Sequence, residues 1–313
     1  MLSRTADNLF WLSRYVERAD YLARILDAAT RLSVLPTSYT GESNEWDSAL
    51  TTAGCRDIFY ETHKHATAET VAAFLAFAPE NPFSIQKCLE MARFNARAVR
   101  TALTTEMWET INSAWLELKS MDETAAAPSR ITKFTDWVKD VALRFEGSGY
   151  RTMLRQDGFW FSKLGSYIER ADNTARILDV KYHILLPEKS EVGGGLDFSQ
   201  WAAILRSVNA LTSYHWVYRE SIKPALIADL LIFNEALPRS LAACYNNILE
   251  ALDELATGYG RQGAAQRLTR ATRMSLENSN VEQVFQTGLH EFLVGFIADN
   301  NQVGYAISEQ YLT

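Results

Sequence analysis

Residues 14–27 read RYVERADYLARILD, and residues 166–179 read SYIERADNTARILD. Laid on one another, the two stretches agree at ten of fourteen positions, where unrelated sequences of ordinary composition would share about one. Each also has the pattern of a helix. Around the first, Leu12, Tyr15, Ala19, Leu22 and Leu26 recur near the 3.6-residue period that puts side chains on one face. Glu17, Asp20 and Arg24 fall on the opposite face, and Glu169, Asp172 and Arg176 repeat that stripe. Arg18 and Arg170 sit to the side, near Ile25 and Ile177, where a guanidinium can lie along apolar neighbours.

The correspondence continues outward at nearly the same offset. Trp46 matches Trp201, the run Val71–Phe77 matches Ile227–Phe233 in pattern, and Pro82, Ser84 and Cys88 fall on Pro238, Ser240 and Cys244. The chain reads as a tandem duplication, copy one over 1–150 and copy two over 151–313, joined near Glu146-Gly-Ser-Gly-Tyr150. Helical periodicity recurs over Leu9–Leu32, Gln86–Thr104, Thr132–Phe145, Phe159–Leu186, Phe198–Tyr218, Ser240–Ala256 and Val281–Tyr311, and no period-2 alternation bounded by turns appears. Loops are expected at Pro36–Asn44, Pro79–Pro82, Thr124–Arg130 and Glu188–Asp197. The fold class is all-α: a bundle-like domain over 1–313, built from two pseudo-symmetric copies of one multi-helix unit. The joint is short and amphipathic helices must hide their apolar stripes, so the copies are expected to pack on one another; two independent beads would need a longer and more polar connection.

Composition narrows the function classes. Thirty-one Lys and Arg against thirty-eight Asp and Glu leave a net charge of -7, so phosphate-driven binding of nucleic acid is not expected. Three widely spaced cysteines, Cys55, Cys88 and Cys244, suggest no disulfide framework and a reducing compartment. The first residues carry charges at Arg4, Asp7 and Arg14 and lack the apolar core of a signal peptide. The longest apolar runs fall short of the ~20 residues that span a bilayer. A cytoplasmic protein without membrane segments is the expectation.

The duplicated charged face admits two readings. One is a network of ion pairs, within each helix or between the packed copies. Exposed pairs contribute only ~0.3–0.5 kcal/mol each, so a buried network between copies better explains why both keep the same set. The other is a polar cleft in which Arg24 and Arg176 hold an anionic group and Glu17 or Glu169 grips a cation or amine. Ligand or partner contacts would then come from Arg18, Asp20, Arg24, Arg170, Asp172 and Arg176.

The two repeated stretches, then NARAVRTALTTEMWETIN (Asn95–Asn112) and VFQTGLHEFL (Val284–Leu293), resemble the bacterial alpha-E domain family over essentially the whole chain. That family is named for an all-helical fold with a Glu–Arg motif, which maps here to Glu17, Arg18, Glu169 and Arg170. The resemblance implies a genomic setting beside circularly permuted ATP-grasp ligase-like proteins and transglutaminase-like proteases, and a part in making or processing a peptide or amide-linked product. It brings no catalytic residue with it.

Signatures of known chemistry are mostly missing from the sequence: there is no P-loop, HExxH, CxxC or GxSxG. Glu61 and His65 have i,i+4 spacing, but the matching stretch of copy two offers only His215, so no metal is expected. Gly258-Tyr-Gly-Arg-Gln-Gly263 has GxGxxG spacing without a preceding strand, which reads as a helix-ending turn and implies no cofactor. Cys88 and Cys244 read as core fillers, and His290 as a packing histidine or a general base. Phe10, Trp11, Phe159, Trp160 and Phe161 gather just before the charged helices, as core or as anchors for a partner.

Two function classes follow. The first is an accessory or scaffold protein that associates with an ATP-grasp-type amide ligase and, beside it, a transglutaminase-like protease. The second is a stand-alone enzyme acting on an amine or acyl substrate between the copies, with Glu17, Glu169 and His290 as candidate catalytic groups. A structural homo-oligomer is a third, weaker candidate.

Overall fold

The computed structural model describes residues 1–34, 44–184 and 195–313, with side chains from 1–34, 44–179 and 198–313. Fifteen α-helices and no strand are found among the described residues. The first half runs α1 (Ser3–Ser33), α2 (Glu45–Ala53), α3 (Arg56–Thr62), α4 (Ala68–Ala76), α5 (Ile85–Ala98), α6 (Thr105–Lys119) and α7 (Ile131–Thr152). The second runs α8 (Asp157–Ile184), α9 (Gly195–Ser207), α10 (Leu211–Tyr218), α11 (Pro224–Ile232), α12 (Leu241–Tyr259), α13 (Ala264–Glu277), α14 (Val281–Thr287) and α15 (Leu289–Ile307). None of the described helices is long and apolar enough to cross a membrane.

The two helices that carry the repeated stretch, α1 and α8, form the most extensive contact in the molecule. α5 lies along α1, as α12 lies along α8, while α7 and α9 cover further faces of α1, α15 packs on α8 and α2 touches both. The central pair is therefore walled on nearly every side, and its apolar residues (Leu9, Phe10, Leu22 and Leu26 from α1; Phe161, Leu164, Ile168 and Leu178 from α8) enter one continuous core. A smaller cluster of Leu12, Val16, Ala92, Ala96, Met107, Ile111 and Phe145 seals α1 against α5, α6 and α7.

Close approach of the central pair depends on one glycine. A Cβ on Gly165 would stand 2.1 Å from the Phe10 carbonyl oxygen, which is backbone and cannot swing aside. About one turn further along α1, the Ser13 and Ser162 hydroxyls meet at 2.6 Å. Gly165→Ala is expected to push α1 and α8 apart and to cost about 1–3 kcal/mol by overpacking. Urea unfolding checks it; a midpoint equal to that of the unaltered chain would show that the crossing has slack.

Local chemistry marks the helix ends. Ser84 and Ser240 each accept a backbone N–H of the first turn, from Lys87 at α5 and from Ala243 at α12. Gly54 and Asn209 end α2 and α9 with φ of 69° and 57°. That second turn splits the single helix expected over Phe198–Tyr218, since Asn is among the few non-glycine residues at ease in the left-handed region. Gly288, at φ 109°, likewise divides Val281–Tyr311. The expected joint near 146–150 is instead helical: α7 continues through Gly147 and Gly149 to Thr152, and the chain turns between Met153 and Gln156. Most of the loop expected at Pro36–Asn44 and most of that at Glu188–Asp197 lie outside the described residues.

Candidate functional site

Where α1 crosses α8, the two Glu–Arg pairs exchange partners. Arg18 donates from Nε to Glu169 Oε1 at 2.5 Å and from Nη2 to Oε2 at 3.1 Å. Arg170 donates from Nε to Glu17 Oε1 at 2.9 Å and from Nη2 to Oε2 at 2.8 Å. Each glutamate thus receives the planar fork of the arginine from the other stretch, the geometry in which Arg binds carboxylate best. Glu17, Glu169 and Arg170 are buried.

Further charges complete each side differently. Glu169 also accepts from Arg14 Nε at 2.8 Å. Glu17 accepts from Arg239 Nη1 at 3.1 Å, and the same guanidinium reaches Asp20 Oδ2 at 2.8 Å from Nη2. Arg170 has a second acceptor, Glu146 Oε2, at 2.9 Å. Asp20 accepts from Arg24 at 2.7 Å, and Arg24 donates again to the Ser207 carbonyl at the end of α9. Asp172 accepts from Arg176 Nε at 2.6 Å.

Burial alone would favour the neutral acid in Glu17, but Arg170 and Arg239 outweigh it and bring its pKa down to about 2. Burial is likewise the largest influence on Glu169, and Arg18 and Arg14 overcome it and hold its carboxyl below the usual range. The partner guanidiniums of Arg18 and Arg170 are pushed higher still by the same carboxylates against the cost of burial. Both glutamates are therefore ionised at neutral pH, each accepting three hydrogen bonds from two arginines. A general acid needs a proton near its working pH; these two are held far from that state.

All eight duplicated residues, Glu17, Arg18, Asp20, Arg24, Glu169, Arg170, Asp172 and Arg176, are thus gathered at one crossing. Arg24 is buried and committed to Asp20 and a carbonyl, whereas Arg176 is one-third exposed at the edge of a cavity of about 230 Å³ that Arg18, Tyr21, Phe83, Glu169 and Asp172 also line. Arg176 borders a second cavity of about 280 Å³ as well, with Asp179 and His290 in its wall. There His290 Nδ1 meets Asp179 Oδ1 at 2.7 Å, close to the central crossing but outside the glutamate network.

Three participants are not repeated: Arg14 opens the first stretch where Ser166 opens the second, and Arg239 and Glu146 lie outside both. Arg239 stands between Pro238 and Ser240, which match Pro82 and Ser84; Phe83 holds the corresponding place in the first half. That mismatch is the one sequence clue to it. Among the described residues no three metal-ligating side chains converge. His65 lies beyond the end of α3, so Glu61 and His65 do not share a helix. Gly260 ends α12 in a left-handed turn at φ 66°, the helix terminus that its GxGxxG context implied. Burial raises the thiol pKa of Cys55, Cys88 and Cys244 to about 12, which leaves them protonated and unreactive.

Across residues 1–312 the sequence matches the model of one family: Alpha-E, described as a predicted alpha-helical domain with a conserved ER motif. The chain belongs to the Alpha-E family. Its two ER dipeptides are Glu17-Arg18 and Glu169-Arg170, the residues that exchange forks at the crossing. The Alpha-E chain is also 22% identical, over 94% of its length, to an uncharacterized protein of Mycobacterium bovis and to two of Mycobacterium tuberculosis. It spans about a third, 35%, of the length of those curated relatives. No solved structure matches it.

Proposed function

We propose that this Alpha-E chain is an accessory or scaffold protein that associates with an ATP-grasp-type amide ligase in bacterial synthesis of a peptide or amide-linked product, with a transglutaminase-like protease as a second partner. One observation carries the reading: the Glu–Arg motif is spent on an internal lock. Glu17 and Glu169 are ionised, buried and each paired with two arginines, which suits a rigid body better than acid–base work. The curated relatives carry nearly two-thirds of their length outside the matched region, in keeping with a domain that works beside others. Exposed aromatics such as Trp216, Tyr150 and Tyr305 offer anchors of the kind interfaces use.

The test is affinity purification of the tagged chain from its own host at low and high salt, followed by mass spectrometry. Recovery of an ATP-grasp-like ligase is the expected result. Recovery of the chain alone would overturn the reading.

A second reading, a stand-alone enzyme acting on an amine or acyl substrate, rests on the His290–Asp179 contact in the wall of the 280 Å³ cavity. A carboxylate on Nδ1 is how a general base is oriented. It requires turnover by the purified chain that His290→Ala abolishes while the thermal midpoint stays.

A further inference from the structure

The two sides of the crossing are not equally filled. In the alignment of the halves Phe83 stands opposite Arg239, and the surroundings of the two residues correspond. Ser84 and Ser240 cap the helices that follow. Cys88 and Cys244 follow at matching places, the Cys88 thiol pointing to the Phe83 carbonyl and the Cys244 thiol to the carbonyl one residue before Arg239, that of Pro238. Arg239 inserts its guanidinium between Glu17 and Asp20. On the other side the matching carboxylates are Glu169 and Asp172, and Phe83 brings no cation to them; the 230 Å³ cavity lies there instead.

Charge counting says what that cavity favours. Around Glu17 and Asp20, three guanidiniums (Arg24, Arg170, Arg239) meet three carboxylates, Glu146 being the third. Around Glu169 and Asp172, three guanidiniums (Arg14, Arg18, Arg176) meet two carboxylates; Arg18 and Arg176 line the cavity, and Arg14 reaches Glu169 from outside its wall. The filled side is neutral and the open side carries one surplus positive charge. An independent feature agrees: Asn173, 3% exposed, lines the cavity, and its side-chain nitrogen has no hydrogen-bond partner. A buried donor left unmade is costly, and an anionic acceptor would satisfy it. Arg176, one-third exposed, can turn a second N–H toward the same acceptor. The Phe83 ring, 5.2 Å from the Arg18 guanidinium, and Leu22 supply an apolar wall.

We infer that the cavity between Phe83, Asn173 and Arg176 is a binding site for a small organic anion, a carboxylate or phosphate ester with an apolar or aromatic portion. The anionic head takes hydrogen bonds from Asn173 and Arg176, and the apolar portion lies on Phe83. The site needs no ligase, so it stands or falls separately from the accessory role.

Calorimetric titration of the purified full chain at low ionic strength tests it, with phenylacetate, phenyl phosphate and the neutral isostere phenylacetamide as probes. Two variants accompany the unaltered chain. Phe83→Glu places an internal carboxylate at a 40% exposed position just before α5, where a helix N-terminus welcomes it. Asn173→Leu removes the unpartnered donor at similar volume and should leave the thermal midpoint equal or higher. Phenylacetate is expected to bind the unaltered chain, roughly tenfold or more weakly to either variant, and phenylacetamide not at all. Tighter binding of phenyl phosphate than of phenylacetate, lost in the same variants, would assign the phosphate source. Failure of both anions to bind, equal binding of phenylacetamide, or anion binding that survives Phe83→Glu unchanged would overturn the site. Because the titration uses the chain alone, its outcome is independent of the purification experiment.

Discussion

Replacing Glu169 with glutamine is expected to lower the stability of the chain by about 3–5 kcal/mol, the cost of removing one partner from a buried ion pair. Glu169 is 2% exposed and accepts from both Arg14 and Arg18. Glutamine keeps the shape and one acceptor oxygen but loses the charge, leaving two guanidiniums side by side with little water to shield them. Their repulsion and their lost desolvation offset both act against folding. The thermal midpoint should fall by roughly 5–8 °C, measured by calorimetry at pH 7, with urea unfolding as the check on the free energy. A double variant, Arg18→Met with Glu169→Gln, should recover part of the loss, because one of the two stranded cations is then gone. The opposite pattern, a midpoint within a degree of the unaltered chain and a vanished activity, would make Glu169 a catalytic group and the lock incidental.

The reason this prediction concerns stability lies in what surrounds α1. On a helical wheel, Glu17, Asp20 and Arg24 form a polar stripe opposite Leu12, Ala19 and Leu26, which is how a solvent-facing stripe looks. The repetition of the stripe in a second helix is the clue that the two polar faces meet, and exposed pairing is too weak to account for it. A wheel cannot show that α2, α5, α7, α8 and α9 surround α1, because that follows from packing between distant segments. Arg239 makes the same point. Its partner Asp20 lies 219 residues away in sequence, and no local period connects them. Gly147 and Gly149 misled for the opposite reason: glycine disfavours helix interiors by about 1 kcal/mol each, and tertiary contacts override so small a preference. Gly149 sits against Met107, and continuing α7 through this stretch brings Glu146 to Arg170. What periodicity and turn chemistry carry, the helices and many of their ends, was readable; what depends on which side chain meets a partner far along the chain was not.

The lock also dictates how the chain responds to acid. The Glu17 carboxyl titrates near 4.5 when unfolded and at about 2 in the folded chain, where the forks of Arg170 and Arg239 favour the anion. A carboxylate whose folded pKa is depressed contributes its stability in full above the unfolded pKa. That contribution fades as pH falls through 4.5 and is gone once pH passes below the folded value. A drop from 4.5 to about 2 corresponds to about 3 kcal/mol, and Glu169, shifted in the same direction, adds to it. Urea unfolding at pH 7, 4.5 and 3 should therefore show a steep loss over the last step. Other carboxylates contribute to the raw curve, so the informative quantity is the difference between the unaltered chain and Glu17→Gln. That variant cannot gain or lose a proton at position 17. It should be the less stable at pH 7, and the gap should narrow as pH falls from 4.5 toward 2. A gap that stays constant over this range would mean that Glu17 keeps an ordinary pKa in the folded chain, and that the Arg170 and Arg239 contacts do not hold its charge.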